Sequence, residues 1–259
     1  PLVIDNGRDT PLAALFAGEY ASLFGVFLPA LTRWRWPVPL GGTSNHFRID
    51  ALRRLGGWDA FNVTEDADLG MRLARRRLRV EMLDAATHEA APTHLRPWLG
   101  QRTRWMKGWM QTFIVHNRDP GRLLAEMGPL RFLAFQVLVL GMILAPVLHC
   151  AYAALLVWLW FGGHLGWDGS PLGVYYMALL GLGYGSTLAM TVLGLMRVGR
   201  LHLLPSQILL PFYWLLMGLA TFRAARELLV APFYWFKSPH RPVKAAVPPG
   251  HSAPAEARR

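Results

Sequence analysis

The sequence has almost no cysteine, with Cys150 the only one in 259 residues. A single thiol excludes a disulfide framework and any metal centre built from cysteines. Charge is also scarce. Asp, Glu, Lys and Arg make up 17% of the chain, against about 25% in an ordinary soluble domain. Hydrophobic residues reach 53%. That balance excludes disorder over most of the length and argues against a wholly soluble protein. The scarcity is local: between Phe132 and Met196, Asp168 is the only formally charged side chain. Signatures of nucleotide and metal enzymes are missing too. There is no GxGxxG, no GxxxxGK followed by Ser or Thr, no HExxH, and no DxD ahead of residue 64. The chain opens on Pro1 rather than methionine, which reads as a fragment or a processed product.

What charge there is favours one sign, with 27 Lys and Arg against 16 Asp and Glu, a net +11. Residues 1–129 hold most of the acids. The basic residues of the second half flank long apolar runs, which argues for a membrane surface rather than nucleic acid. A helix needs about 20 apolar residues to cross a bilayer. Residues 132–161 and 172–198 qualify, separated by the Gly-rich loop GGHLGWDGSP. Their mid-chain position and length exclude a signal peptide. A third stretch, 203–230, carries Pro205 and Pro211. Arg197 and Arg200 precede it, and Arg223, Arg226, Lys237, Arg241 and Lys244 lie in its last turns and beyond. Basic flanks prefer the cytosolic side. This stretch therefore reads as a helix lying in the cytosolic interface or re-entering it, with a third span as the alternative. Residues 130–244 form the membrane region, and the Pro/Ala-rich 245–259 reads as a disordered tail.

Residues 1–129 read as polar, mixed α/β, and part of a larger domain rather than a whole one. A helix is expected over Pro11–Leu31 and a strand or loop over Val38–Phe47. Asp50 is the expected N-cap of a short helix, Ala51–Leu55, that Gly56 ends. Thr64 or Asp66 opens the next helix, to about Arg77. Arg79–Leu83 reads as a strand and Pro97–His116 as an amphipathic helix rich in Trp and Arg.

Three constellations can carry chemistry. Thr64-Glu65-Asp66-Ala67-Asp68 puts three carboxylates within four residues. Acids in a first helical turn favour the positive end of the helix dipole; equally, one of them can serve as a general base. Gln101, Arg104, Trp105 and Gly108 share a helix face at i, i+3, i+4 and i+7. They offer an amide, a phosphate-binding guanidinium and a flat ring beside a gap. The plainer reading is an aromatic belt at the membrane, with Trp98 and Trp109. Trp235–His240 reads either as a membrane anchor or as a loop over a site.

Taken together, the residues resemble the C-terminal half of membrane-embedded family 2 glycosyltransferases, the group that contains cellulose, chitin and hyaluronan synthases. The resemblance runs from about Asn6 to His240 and rests on GGTSNHFR, LGGWD, TEDADLG and QRTRW. It implies a partial GT-A (Rossmann-like) α/β domain at the cytosolic face, followed by transmembrane α-helices. It implies an inverting transfer of a hexose from a nucleotide sugar, a UDP-sugar above all, to a β-linked polysaccharide or glycan. Asp66 is then the base, positioned by Glu65 and Thr64. Gln101, Arg104 and Lys237 bind the donor diphosphate. Trp105, Gly42, Thr43 and Ser44 face the acceptor. Trp235–His240 resembles a gating loop, although Phe236, Ser238 and Arg241 depart from the usual pattern. Mg²⁺ or Mn²⁺ is implied, with its ligands outside this chain. The implied partners are the nucleotide sugar, the glycan acceptor, the bilayer and accessory export proteins, with no nucleic acid. A truncated, non-catalytic membrane partner of a polysaccharide synthase is the alternative.

Overall fold

The computed structural model describes residues 1–163 and 170–237. Sequence expectations for Asp168, Ser238–His240 and the tail 245–259 lie outside these residues. Strand β1 (Leu2–Ile4) is followed by helices α1 (Pro11–Ser22), α2 (Leu28–Trp34), α3 (Ile49–Arg54) and α4 (Glu65–Arg75), then strand β2 (Thr87–Glu89). Helices α5 (Leu95–His116), α6 (Pro120–Met127), α7 (Pro129–Phe161) and α8 (Pro171–Arg197) come next. A 3₁₀ stretch, Leu201–Leu209, leads into α9 (Leu210–Val230).

The described sheet is small. β1 and β2 run parallel, with Leu2, Val3 and Ile4 opposite Thr87, His88 and Glu89. Asn6 extends the ladder with its side chain, donating to Ala91 O (3.0 Å) and accepting from Ala91 N (2.7 Å). Val38–Phe47 is loop, while Arg79–Leu83 is not the strand its composition suggests. A strand exists only through a partner's hydrogen bonds, and among the described residues no strand lies beside it. Val80 and Met82 instead pack against Leu28, Leu31 and Val38. The short helix also begins earlier than expected. Ile49 opens it from Arg48, so Asp50 sits in the first turn rather than at the cap, and Gly56 leaves it at φ +79.

Helices α1 and α2 are one rod interrupted by a π-helical turn, Leu23–Phe27. The cause is Pro29, which has no N–H to give to Gly25 O four residues back. Arg197, at the end of α8, donates to that carbonyl instead. Here α8 crosses the rod at van der Waals distance. A side chain on Gly194 would run into the Ala21 and Ser22 backbone, and Ser22 Oγ donates to Thr191 Oγ1 at 3.0 Å. Small residues at such crossings let helices approach where water gives no hydrophobic drive.

Among the described residues, four helical segments are long and apolar enough to cross a membrane by length and composition: Pro11–Trp34, Pro129–Phe161, Gly173–Arg197 and Leu201–Val230. The first lies in the half that the sequence suggests is polar and cytosolic; it is also the most buried in protein. α7 and α8 instead expose apolar side chains along their length, including Leu148, Trp158, Phe161 and Leu182. Patches of that size on a helix pair call for a lipid surface. The two helices run antiparallel, because His149 meets Tyr184 and Tyr152 meets Tyr176. α9 packs between α5 and α7, its Gly218 making room for Cys150.

Replacing Gly194 by Ala should therefore destabilise the protein by about 1–3 kcal/mol through overpacking. Gly181→Ala, where a methyl meets nothing within 4 Å, should be neutral or mildly stabilising. Thermal melts of both variants in the same detergent check the pair, and equal losses would contradict the close crossing.

Candidate functional site

The site is built on α5. Its residues Arg104, Gly108, Gln111 and Thr112 lie on one face, spaced at i, i+4, i+7 and i+8, and together they hold the loop that opens α4. Arg104 Nη1 donates to Val63 O (3.1 Å), and Gln111 Oε1 accepts from Val63 N (3.2 Å). Asn62 donates to Thr112 Oγ1 (2.9 Å). Thr64, the N-cap of α4, is seated directly against Gly108, where any Cβ would collide with its hydroxyl. Its N–H donates to Asn62 Oδ1 at 3.0 Å.

The three carboxylates that follow have three fates. Glu65 is exposed. Asp68 is buried and fully used, accepting from His116 Nε2 (2.9 Å) and Arg72 Nε (2.8 Å). Burial raises its carboxyl, but the His116 bond and the charges of His116 and Arg72 outweigh burial and hold it below the ordinary carboxylate range. Asp66 is half-buried and has no side-chain partner among the described residues; its Oδ1 accepts from Ala67 N at 2.8 Å. Burial pushes its carboxyl up and Glu65 adds to this, while the Ala67 N–H and the Arg104 charge oppose it. Neither Thr64 nor Glu65 hydrogen-bonds the Asp66 carboxylate. Asp66-Ala67-Asp68 spells DxD, yet Asp68 is committed to His116 and Arg72, so the two acids do not form a metal pair. Among the described residues no three His, Cys, Asp or Glu side chains could hold a metal ion. These residues do not fit the Mg²⁺ or Mn²⁺ that the resemblance implies, and no step below passes through it.

The glycine loop arrives from the other side. A Cβ on Gly42 would stand 3.0 Å from Asp66 Oδ2, so only glycine leaves that carboxylate open. Ser44, at φ +54, turns away and hydrogen-bonds Thr87 Oγ1 at 2.8 Å. Thr43 is half-buried and makes no side-chain hydrogen bond.

α5 also carries polar atoms with nothing to bind. Gln101 Oε1 and Arg104 Nε are buried and unpartnered. Burial lowers the Arg104 guanidinium somewhat, against Asp66 and Glu65, which support its charge. Trp105 does not stand beside Arg104. It is half-buried against Phe16 and Tyr20, with the Arg102 guanidinium 4.7 Å from its ring.

Sequence reasoning passed over several residues that shape this place. Lys107 is buried, and its ammonium donates to Tyr234 O (2.6 Å) and Ala231 O and pairs with Glu227. Gln111 donates to Pro232 O at 2.9 Å. The two tie residues 231–234 along α5, which brings Trp235 to 5.5 Å from the Arg104 guanidinium and seats Phe236 on Gly100. Their positions one and two turns beyond Arg104 were the available signal. Lys237 is exposed and makes no ion pair among the described residues.

Comparison with known proteins adds a family. The model described as "Glycosyl transferase family group 2" matches residues 1–235. "Probable glycosyltransferase YdaM" of Bacillus subtilis is 34% identical over 79 residues, 29% of this chain and 19% of its own length. "Cellulose synthase catalytic subunit [UDP-forming]" of Komagataeibacter sucrofermentans is 35% identical over 86 residues, 31% of this chain and 11% of its own. "Succinoglycan biosynthesis protein ExoA" of Rhizobium meliloti is 31% identical over 138 residues, 52% of this chain and 35% of its own. The chain thus spans from 11% to 35% of the length of these relatives. No solved structure matches it significantly.

Because Asp68 is held below its unfolded pKa of about 4, its contribution to stability is complete above that pH. It is lost as pH falls through the lower folded value. Asp68→Asn should flatten the fall in melting temperature between about pH 5 and pH 3 while lowering stability at neutral pH. Melts across that range check it, and a parallel acid limb in the variant would contradict it.

Proposed function

The chain belongs to the group 2 glycosyl transferase family, and from that premise we propose that it transfers a hexose from a nucleotide sugar to a polysaccharide or glycan. The donor class is a UDP-sugar, in keeping with the UDP-forming cellulose synthase relative, and the new linkage is β, formed with inversion on a GT-A type domain. The observation that carries this reading is the contrast between Asp66 and Asp68. Of the two acids drawn into the protein at the start of α4, only Asp66 is left without a side-chain partner, half-buried between Gly42 and the Arg104 helix.

Asp66 accepts the proton of an acceptor hydroxyl. The freed oxygen pair attacks the anomeric carbon as the bond to the diphosphate oxygen breaks on the opposite face. A carboxylate raised by burial suits this work, because its basicity increases with its pKa. Negative charge then grows on the diphosphate, where a fixed, partly desolvated cation stabilises the transition state more than the ground state. Arg104 with its free Nε and Gln101 through its side-chain N–H₂ are the groups for it, with Lys237 as a further donor ligand. Trp105, Gly42, Thr43 and Ser44 are the acceptor side of this proposal, although the Trp105 ring packs on Phe16, Tyr20 and Arg102.

The reaction side is the cytosolic face of the cell membrane, since the basic ends of α7 and α8, Arg131 and Arg197, fall together. α7 and α8 are the two spans, and 203–230 is the interfacial or third membrane element. Export of the product and accessory export proteins belong to the same proposal.

In the full-length protein Asp66→Asn should reduce transfer by about 10²–10⁴-fold while leaving UDP-sugar binding intact. A carboxyl raised in the folded state loses stability as it ionises, so the same variant should melt no lower than the wild type. Wild-type turnover in Asp66→Asn would remove the assignment. Arg104→Ala should depress both donor affinity and turnover, with Lys an incomplete substitute because it lacks the guanidinium fork. Trp105→Ala should cut acceptor transfer more than donor binding. Measured on equal amounts of folded protein, unchanged specific activity in both would take α5 out of the active site.

A further inference from the structure

Beside α4, along its Gly70 and Ala74, lies a cavity of about 500 Å³ that the transfer reaction does not use. Four arginines line it, and they come from separate parts of the chain: Arg33 at the end of α2, Arg35 in the left-handed turn after it, Arg79 beyond α4 and Arg131 in the first turn of α7. Glu81 is the only acid in its wall. None of the four guanidiniums makes an ion pair or a hydrogen bond among the described residues. That is unlike Arg72, Arg75, Arg102, Arg122 and Arg200, which are all paired with carboxylates. Arg33, Arg35 and Arg79 are exposed and Arg131 is half-buried, and four like charges around one hollow with one counter-charge raise a positive potential that attracts an anion.

The cavity is also at a definite depth. α7 and α8 run antiparallel, so Arg131 at the start of one and Arg197 at the end of the other lie at the same end of the pair. Arg197 in turn binds Gly25 in the rod whose last turn carries Arg33. The rod's last residue, Trp34, is 60% exposed and its ring lies tilted against Trp36, which lines the cavity. Tryptophans beside arginines at the ends of apolar helices mark a membrane–water boundary. Leu130 and Leu133, next to Arg131, face outward, giving acyl chains a surface to follow. The walls mix these cations with apolar Val80 and Met82, and the volume is that of a small-ligand site.

We propose that this cavity binds the phosphate of an anionic membrane-lipid headgroup, gripped by Arg33, Arg35, Arg79 and Arg131. Guanidinium forks fit phosphate oxygens two at a time, and basic pockets between membrane helices on the cytosolic side are suited to such headgroups. The inference rests on the membrane placement of α7 and α8 but not on the transfer chemistry.

The test uses the full-length protein purified in a neutral detergent. Native mass spectrometry counts bound phosphatidylglycerol and phosphatidylcholine of equal chain length, each titrated alone, and then phosphatidylglycerol against inorganic phosphate. Wild type should take up phosphatidylglycerol at least tenfold more tightly than phosphatidylcholine. The Arg33→Gln/Arg79→Gln/Arg131→Gln variant should lose that preference while binding phosphatidylcholine as before. The matching triple Lys variant should keep a substantial part of it, which covers the case in which the Gln variant folds poorly. Failure of millimolar inorganic phosphate to displace the lipid assigns the site to a headgroup. Displacement means that the phosphate alone is read and that a soluble phosphate can fill the cavity. Equal binding of both lipids by wild type, or an undiminished preference in the Gln variant, overturns the proposal. Occupation of the cavity by another part of the full-length chain would give the first of these results. Loss of transfer in Asp66→Asn is independent of all these outcomes, so the two readings fail separately.

Discussion

A guanidinium buried without a partner costs several kcal/mol, and Arg102 is only 3% exposed. It is kept charged by Glu19, whose two carboxylate oxygens accept from both its terminal nitrogens, Nη1 at 2.6 Å. Tyr213 accepts from the same guanidinium at 2.9 Å and donates to Glu19 at 2.6 Å, and Trp98 donates to Tyr213. The rings of Phe16 and Trp105 lie against it. One ion pair therefore fixes α1, α5 and α9 to one another. Removing either partner would strand the other inside, at about 3–5 kcal/mol. The rest depends on this clamp because α5 turns its opposite side to the loop that leads to Asp66. Arg102 and Arg104 are two residues apart, about 200° around a helix. With Arg102 locked into the core, Arg104 must face the loop that opens α4.

The same helix then serves three neighbours. Gly108, Gln111 and Thr112 seat the chain leading to Asp66, while Lys107 and Gln111 strap residues 231–234 along it. At its C-terminal end His116 holds Asp68 and meets Arg75 through Nδ1 at 3.1 Å. Asp68, His116 and Arg75 form a rigid, satisfied base, and Glu126 extends it by pairing with Arg75 at 2.6 Å. Asp66 stands two residues away with its valence unfilled.

Local signals in the sequence marked these elements well and their relations poorly. The helix opening at Thr64 and the one ending at His116 follow from residue spacing and end charges that lie within each segment. Asp50 as a cap and Arg79–Leu83 as a strand failed because each depends on something beyond the segment, an earlier entry at Ile49 or a partner strand. The shared helix face was half legible. Arg104 and Gly108 do meet the Asp66 loop, but Trp105 is drawn away by Phe16 and Tyr20, and no spacing rule could reveal neighbours so far upstream. The acidic run gave no sign of which carboxylate stays free, because His116 lies 48 residues beyond Asp68. Within the rod Pro11–Trp34, Pro29 was a readable breaker, yet that Arg197 would repair the break required the fold.

The central claim is that one helix, α5, joins the Asp66 loop and the segment before Lys237 into a single nucleotide-sugar site. Hydrogen–deuterium exchange of the full-length protein in lipid nanodiscs, with and without a saturating UDP-sugar, tests it most directly. The account predicts that the donor slows exchange together in residues 63–67, 99–105 and 232–237. Protection elsewhere in the protein with these three segments unchanged would contradict it.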